Sequence, residues 1–179
     1  MSDHDDMIRD IARLAVHQGK FNVGEEFSHG TMQPEHLIPR LMAALERVDP
    51  RTADNLRSAY SGHFEMLEPG YPELDADDYE CLDTLLYGVI YATLNSDKYV
   101  PPYTYVGMHS GDGSLWGCWP DVDSLNDAYD DTGEVFQMDG RDFMLNKFEY
   151  VPVQCKYVCV LGKNYKLYDA KTHRLIWEY

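Results

Sequence analysis

No stretch of this sequence is apolar for long enough to cross a bilayer. The longest such run, around residues 85–94, is interrupted by Gly88 and Thr93 and falls short of the roughly 20 residues that a spanning helix needs. The opening residues Met1-Ser2-Asp3-His4-Asp5-Asp6 are acidic, where a secretory leader carries basic residues and then an apolar run. Export is therefore not expected, and the expected location is cytoplasmic. Basic residues are scarce too: 15 Lys and Arg stand against 31 Asp and Glu, a net charge of -16, with a pI near 4.6. A field of that sign repels nucleic acid and anionic membrane and favours basic partners.

Recognisable catalytic and metal-binding patterns are also missing. Four cysteines are present, Cys81, Cys118, Cys155 and Cys159. Cys155 and Cys159 fall in a strand-like run, where a four-residue offset spans about 13 Å, too far for a disulfide between them. A lone C-x3-C makes no zinc knuckle, so reduced, mostly buried thiols are expected. Asp121-Val122-Asp123 imitates the start of a calcium loop, but Leu125 stands at position five and no Gly follows. Ser110-Gly111-Asp112-Gly113-Ser114 lacks the Lys of a phosphate loop and reads as a hairpin turn. His109 and Cys118 flank that turn, yet no third residue orients them and no oxyanion hole is evident. Ser2-Asp3-His4, once Met1 is removed, would chelate Cu(II) or Ni(II) in a square plane, as any chain with His at that position does. No cofactor or structural metal is expected.

What is there is a globular composition, with 44% hydrophobic and 13% aromatic residues in 179 positions, enough for one core. The first half, about 1–98, reads as roughly four helices. Residues 3–18 carry Met7, Ile8, Ile11, Leu14 and Ala15 at helical spacing. A loop follows over 19–32, from which Phe21, Val23 and Phe27 are expected to reach the core. A second helix starts near Pro34. A third opens at Asp49-Pro50, a cap followed by a first-turn proline, and runs to about Leu67. Asp75 with Asp78 resembles a capping box for a fourth, running to about Asn95. The second half, about 103–179, alternates like strands: a hairpin over 103–119, a short helix from Pro120 capped by Asp121 or Asp123, a short strand at 134–138, and a long strand from Phe148 to Leu161. In that long strand Val151, Val153, Cys155, Tyr157, Cys159 and Leu161 should share one face. Two further strands reach the terminus. The expected fold is one α+β domain over 1–179, with N-terminal helices packed on one side of a C-terminal antiparallel meander.

The charge is unevenly spread. No Lys or Arg occurs between Arg57 and Lys98, and Glu73, Asp75, Asp77, Asp78, Tyr79 and Glu80 fall in that gap. A second acidic group contains Asp121, Asp123, Asp127, Asp130 and Asp131, whereas the tail is mildly basic. Neighbours on a helix lie about 5–6 Å apart, of the order of phosphate spacing along a nucleic-acid strand. Such carboxylates, with interspersed tyrosines, suit a basic protein surface such as that of a nuclease or other nucleic-acid-binding protein. The expected function is thus a non-enzymatic binding protein, a nucleic-acid mimic of anti-restriction or anti-CRISPR type or a toxin-immunity protein. Helix-dipole roles account for some of the same residues. The alternatives are an enzyme using paired carboxylates and an assembly protein that pairs its C-terminal strands with another copy.

Overall fold

The computed structural model describes residues 19–145 and 147–179. The helix expected over 3–18 and the Ser2-Asp3-His4 chelate lie outside the described residues. The molecule is a mixed α+β fold with most helices in the N-terminal half and most strands in the C-terminal half. Its strands form two sheets, where a single one was expected.

The first departure is strand β1, Glu25–His29, within the expected loop. Its alternation is masked because a bulge between Glu26 and Ser28 shifts its register, and the buried side chain at its centre is Ser28. Arg40 Nη1 donates to Ser28 Oγ at 3.1 Å, which satisfies that hydroxyl. Phe21 and Phe27 do reach the helical core, with ring centroids 4.8 Å apart, whereas Val23 packs in a second cluster.

Helix α1, Pro34–Val48, buries Leu37, Ile38, Leu41 and Leu45 along one stripe. Asp49 ends it and caps α2, Pro50–Ala59, by accepting the Thr52 N–H at 3.0 Å. The third helix does not run to Leu67. It breaks at Tyr60, and the separate turn α3, Ser61–Glu65, follows, because Ser61-Gly62 is a weak helix former. Helix α4, Ala76–Asp83, opens on the capping box: Asp75 Oδ1 accepts the Asp77 and Asp78 N–H groups at 2.9 and 3.0 Å, and Asp78 Oδ2 accepts the Asp75 N–H at 3.2 Å. The chain then winds through a wide π turn, Thr84–Ile90, into α5, Tyr91–Leu94. Leu82, Leu85, Leu86, Ile90 and Leu94 are all buried. The hairpin of β2, Thr104–His109, and β3, Asp112–Pro120, completes a sheet ordered β1-β3-β2. Val106, Trp116 and Cys118 present its inner face to α1 and α4.

Next come α6, Val122–Asp127, capped by Asp121, and a wide turn, Ala128–Thr132. The second sheet holds β4, Val135–Asp139, β5, Tyr157–Leu161, β6, Lys166–Asp169, and β7, Leu175–Glu178, in the order β4-β5-β6-β7. β5, β6 and β7 form the expected antiparallel run, but β4 and β5 are parallel, which corrects the purely antiparallel meander. A parallel pair needs a crossover, supplied by α7, Gly140–Met144, and the 3-10 turn Lys147–Tyr150. The long strand over 148–161 is likewise corrected. Val153 is 96% exposed, Cys155 and Cys159 are buried, and Leu161 is half-exposed. Pro152 cannot join a ladder, and β5 is covered on both faces. Leu125 and Ala128 cluster with Cys159 on one, and Phe143 and Phe148 pack with Val158 and Val160 on the other. A strand buried on both sides loses its period of two.

The terminal strand fastens the second sheet to the first. Trp177 Nε1 donates to Pro102 O at 2.8 Å, Tyr179 lies against Trp119 at 6.2 Å, and Tyr103 meets Tyr157 edge-on at 5.6 Å.

Candidate functional site

Two acidic groups were expected, and each sits at the start of a helix. Glu73, Asp75, Asp77, Asp78, Tyr79 and Glu80 surround the first turn of α4, whose Leu82 roots it in the helical core. Asp121, Asp123, Asp127, Asp130 and Asp131 line α6 and its wide turn, whose Leu125 and Ala128 root them in the second core. Local chemistry explains part of each group. Asp75 and Asp78 make the capping box. Asp121 accepts the Ser124 N–H at 3.1 Å and the Ser124 hydroxyl at 2.7 Å. Tyr79 donates its hydroxyl to Glu35 Oε1 at 3.1 Å, tying α4 to α1; that hydrogen bond, with partial burial, pushes the phenol pKa up.

Asp77 and Asp123 lie in the first turns of α4 and α6, where the helix dipole favours a carboxylate; the others have no such local duty. Among the described residues, Glu73, Asp77, Glu80, Asp123, Asp127, Asp130 and Asp131 form no ion pair with Lys or Arg. Three of the tail's lysines are used locally instead: Lys147 with Asp142 at 2.6 Å, Lys156 with Glu134 at 3.1 Å and Lys166 with Glu178 at 2.9 Å.

Between the two groups lies a feature that the sequence reading missed, a run of partly exposed tyrosines. Tyr87 and Tyr91, one helical turn apart, rest on the buried Trp116 with centroid distances of 6.4 and 6.3 Å. At the edge strand β2, the rings of Tyr105 and Tyr91 crowd Gly107; a Cβ there would lie 3.2 Å from Tyr105 and 3.6 Å from Tyr91. Partial burial raises the Tyr87 pKa, with help from the charge of Asp83, and raises that of Tyr105, with help from Asp121. The strip therefore runs from Asp83, beside the first group, through Tyr87, Tyr91 and Tyr105 to Asp121 of the second. Tyr71 belongs to the same setting: partial burial and the charges of Asp78, Asp75 and Glu65 push its phenol up. Tyr71, Tyr79, Tyr87, Tyr91 and Tyr129 are each 36–46% exposed. The spacing of Tyr87 and Tyr91 was the available signal, since residues four apart share one side of a helix.

Two other places hold side chains capable of chemistry. A cleft of about 280 Å³ between α3 and α4 is lined by His63, Asp77, Glu80, Cys81 and Thr84; all but His63 are exposed, so the cleft is shallow. His109 and Cys118 do not meet. His109 lies edge-on to Trp119 and its Nε2 is 3.0 Å from the Tyr179 hydroxyl, whereas Cys118 is buried opposite Val106. Burial pushes the Cys118 thiol up to about 12 and Cys159 up to about 11, which makes both poor nucleophiles. All four cysteines are free, three of them buried and Cys81 exposed. Among the described residues, no group of three or more His, Cys, Asp or Glu is arranged to hold a metal ion. Compared with protein-family models, with curated proteins and with solved structures, the chain matches none of them.

Proposed function

We propose that this chain is a non-enzymatic binding protein that masks a basic protein surface, as a nucleic-acid mimic masks a defence nuclease or an immunity protein masks a toxin. The observation that carries the reading is a set of carboxylates, Glu73, Asp77, Glu80, Asp123, Asp127, Asp130 and Asp131, that form no ion pair with Lys or Arg among the described residues and are flanked by exposed tyrosines. A fold that needed these charges only for its own stability would pair them with the available lysines. Carboxylates left free raise self-repulsion and remain ready for a partner's Lys and Arg, and exposed tyrosines add contact area at low entropy cost and accept guanidinium groups on their faces.

The test is capture from cell lysate on the immobilised chain, at about 50 mM and about 500 mM salt. Basic nucleic-acid-binding proteins should be retained at the lower concentration and released at the higher one, and duplex DNA should compete for them. A variant carrying Asp77→Asn, Glu80→Gln, Asp127→Asn, Asp130→Asn and Asp131→Asn should retain little. Retention that ignores both salt and neutralisation would refute the reading.

A further inference from the structure

Strands at the edge of a sheet present unpaired peptide groups, and this fold covers most of its own. At β2, Asn95 imitates a neighbouring strand: its Nδ2 donates to Val106 O at 2.8 Å and its Oδ1 accepts the Val106 N–H at 2.7 Å. At β1, Arg40 Nη1 donates to His29 O at 3.3 Å. At β7, Trp177 and Tyr179 are docked against the first sheet. Among the described residues, none covers the outer edge of β4 in this way. Glu134 O accepts the Tyr157 N–H at 3.2 Å, and Val135 is in register with Tyr157. In a parallel ladder, that arrangement turns the peptide groups of Phe136 and Met138 toward β5 and those of Val135 and Gln137 outward. Among the described residues, the Gln137 peptide groups have no partner outside the sheet.

A hollow of about 330 Å³ follows this edge, lined by the consecutive residues Phe136, Gln137, Met138 and Asp139, with Tyr150 and the Asp142–Lys147 ion pair on the far wall. Successive strand residues point to opposite faces, so four in a row border one hollow only where it runs along the edge. The hollow is open and mixed in character: Phe136, Met138 and Tyr150 offer apolar surface beside Asp139, Asp142 and Lys147, and Tyr150 is 66% exposed. The wide turn bearing Asp130 and Asp131 packs on β4, and Asp139 closes its other end. We propose that β4 accepts an extended segment of a basic partner protein as a fifth strand, with an apolar side chain of that segment in the hollow. This rests on the reading of the partner as cationic. The occupant is a basic chain because carboxylates stand at both ends of the edge, and because a second copy would set a charge of -16 against its like.

The probe is a synthetic peptide of about eight residues alternating lysine and valine, with a glutamate–valine counterpart and a version with proline at its centre. Affinity is read by fluorescence anisotropy on the full chain at about 20 mM and about 300 mM salt. The lysine–valine peptide should bind, weaken with salt and protect the Gln137 amide from hydrogen exchange in the NMR spectrum. The proline peptide, and the Gln137→Pro variant, which removes an outward N–H at an edge where proline is tolerated, should each weaken binding about tenfold or more. The amide readout on the unaltered chain stands even if that variant fails to fold. Salt-sensitive binding that leaves the Gln137 amide unprotected overturns the edge site while sparing the cationic reading. Equal binding of the glutamate–valine peptide overturns the cationic reading and this proposal with it. No binding of the lysine–valine peptide overturns the edge site, and so does a concentration-dependent dimer abolished by Gln137→Pro, which would make a second copy the occupant.

Discussion

Replacing Gly117 by alanine should destabilise the fold more than any other single methyl added at a glycine. Gly117 lies in the central strand β3, opposite Glu26 of β1 and Gly107 of β2. A Cβ there would stand 2.3 Å from Glu25 O and 2.6 Å from Trp119 Cζ2. Ordinary carbon–oxygen contacts begin near about 3.3 Å, so about 1 Å of movement is demanded. The oxygen is backbone in a paired strand, and the ring belongs to a buried tryptophan whose Nε1 donates to Gly107 O at 2.9 Å. Overpacking of this kind costs about 1–3 kcal/mol, and loss of the indole hydrogen bond adds about 1 kcal/mol. The sum, about 2–4 kcal/mol, lowers the melting temperature of a chain this size by about 5–15 °C. Gly88→Ala is the internal control. Nothing lies within 4 Å of a Cβ at that helical position, and alanine is the better helix former by about 1 kcal/mol, so Gly88→Ala should raise the midpoint. Thermal and urea unfolding followed by circular dichroism report both, and an unchanged midpoint for Gly117→Ala would refute the packing argument.

Other expectations follow from particular contacts. Asp49 accepts hydrogen bonds from Thr52 and from the Tyr99 hydroxyl and pairs with Lys98, whose contact is the largest cause holding its carboxyl well below the usual range. A carboxyl depressed in the folded state adds stability above its unfolded pKa, and loses it as pH falls from about 4 toward the folded value; Asp49→Asn should therefore flatten the acid limb of a stability-versus-pH curve, and an unaltered limb would contradict the assignment. Of the four thiols, only Cys81 is exposed. A thiol reagent at about pH 8 should react rapidly with that one in the folded chain and with all four in denaturant; two fast thiols would show that a second cysteine is accessible. Asp75→Ala removes an N-cap that serves the Asp77 and Asp78 N–H groups and should cost about 1 kcal/mol. The pair Glu80→Gln and Asp127→Asn removes charges that pair with no Lys or Arg among the described residues, so it should leave the melting temperature unchanged or raise it.

The parts of the fold that were legible are those decided within a few residues. Asp49-Pro50, the Asp75–Asp78 box and Asp121 before α6 are local devices, and each forms as its spacing implies. The hairpin of β2 and β3 is equally local. What stayed hidden depends on distant partners. β1 exists because β3 pairs with it, from Glu25 opposite Cys118 to His29 opposite Leu115, and nothing within 25–29 announces that. The parallel alignment of β4 with β5 comes from a crossover whose pairing no local pattern encodes. Over 148–161 the alternation was misread because Pro152 and two-sided burial were outweighed by a run of alternating apolar letters. The candidate site divides the same way. Its carboxylates were visible as a gap in Lys and Arg, but Tyr87, Tyr91 and Tyr105 converge only because Trp116 and the edge strand β2 bring them together.

That convergence bears on how two acidic groups on different elements can serve one partner. Asp75, Asp78 and Asp121 are committed to helix starts, so the capping rules alone would set a few carboxylates on any helical surface. They do not account for Glu80, Asp127, Asp130 and Asp131, which stand beside the caps and share none of their hydrogen bonds. Nor do they account for tyrosines left partly exposed on the intervening helix when Trp116 already fills the space beneath them. Under the basic partner proposed above, the tyrosine strip would supply flat faces, and the carboxylates at its two ends would supply charge-assisted hydrogen bonds. Each contact is weak while it stays open to solvent, and gains strength once a docked surface excludes water around it. In that proposal the two groups, rooted in separate cores through Leu82 and through Leu125 and Ala128, would meet different parts of one partner surface.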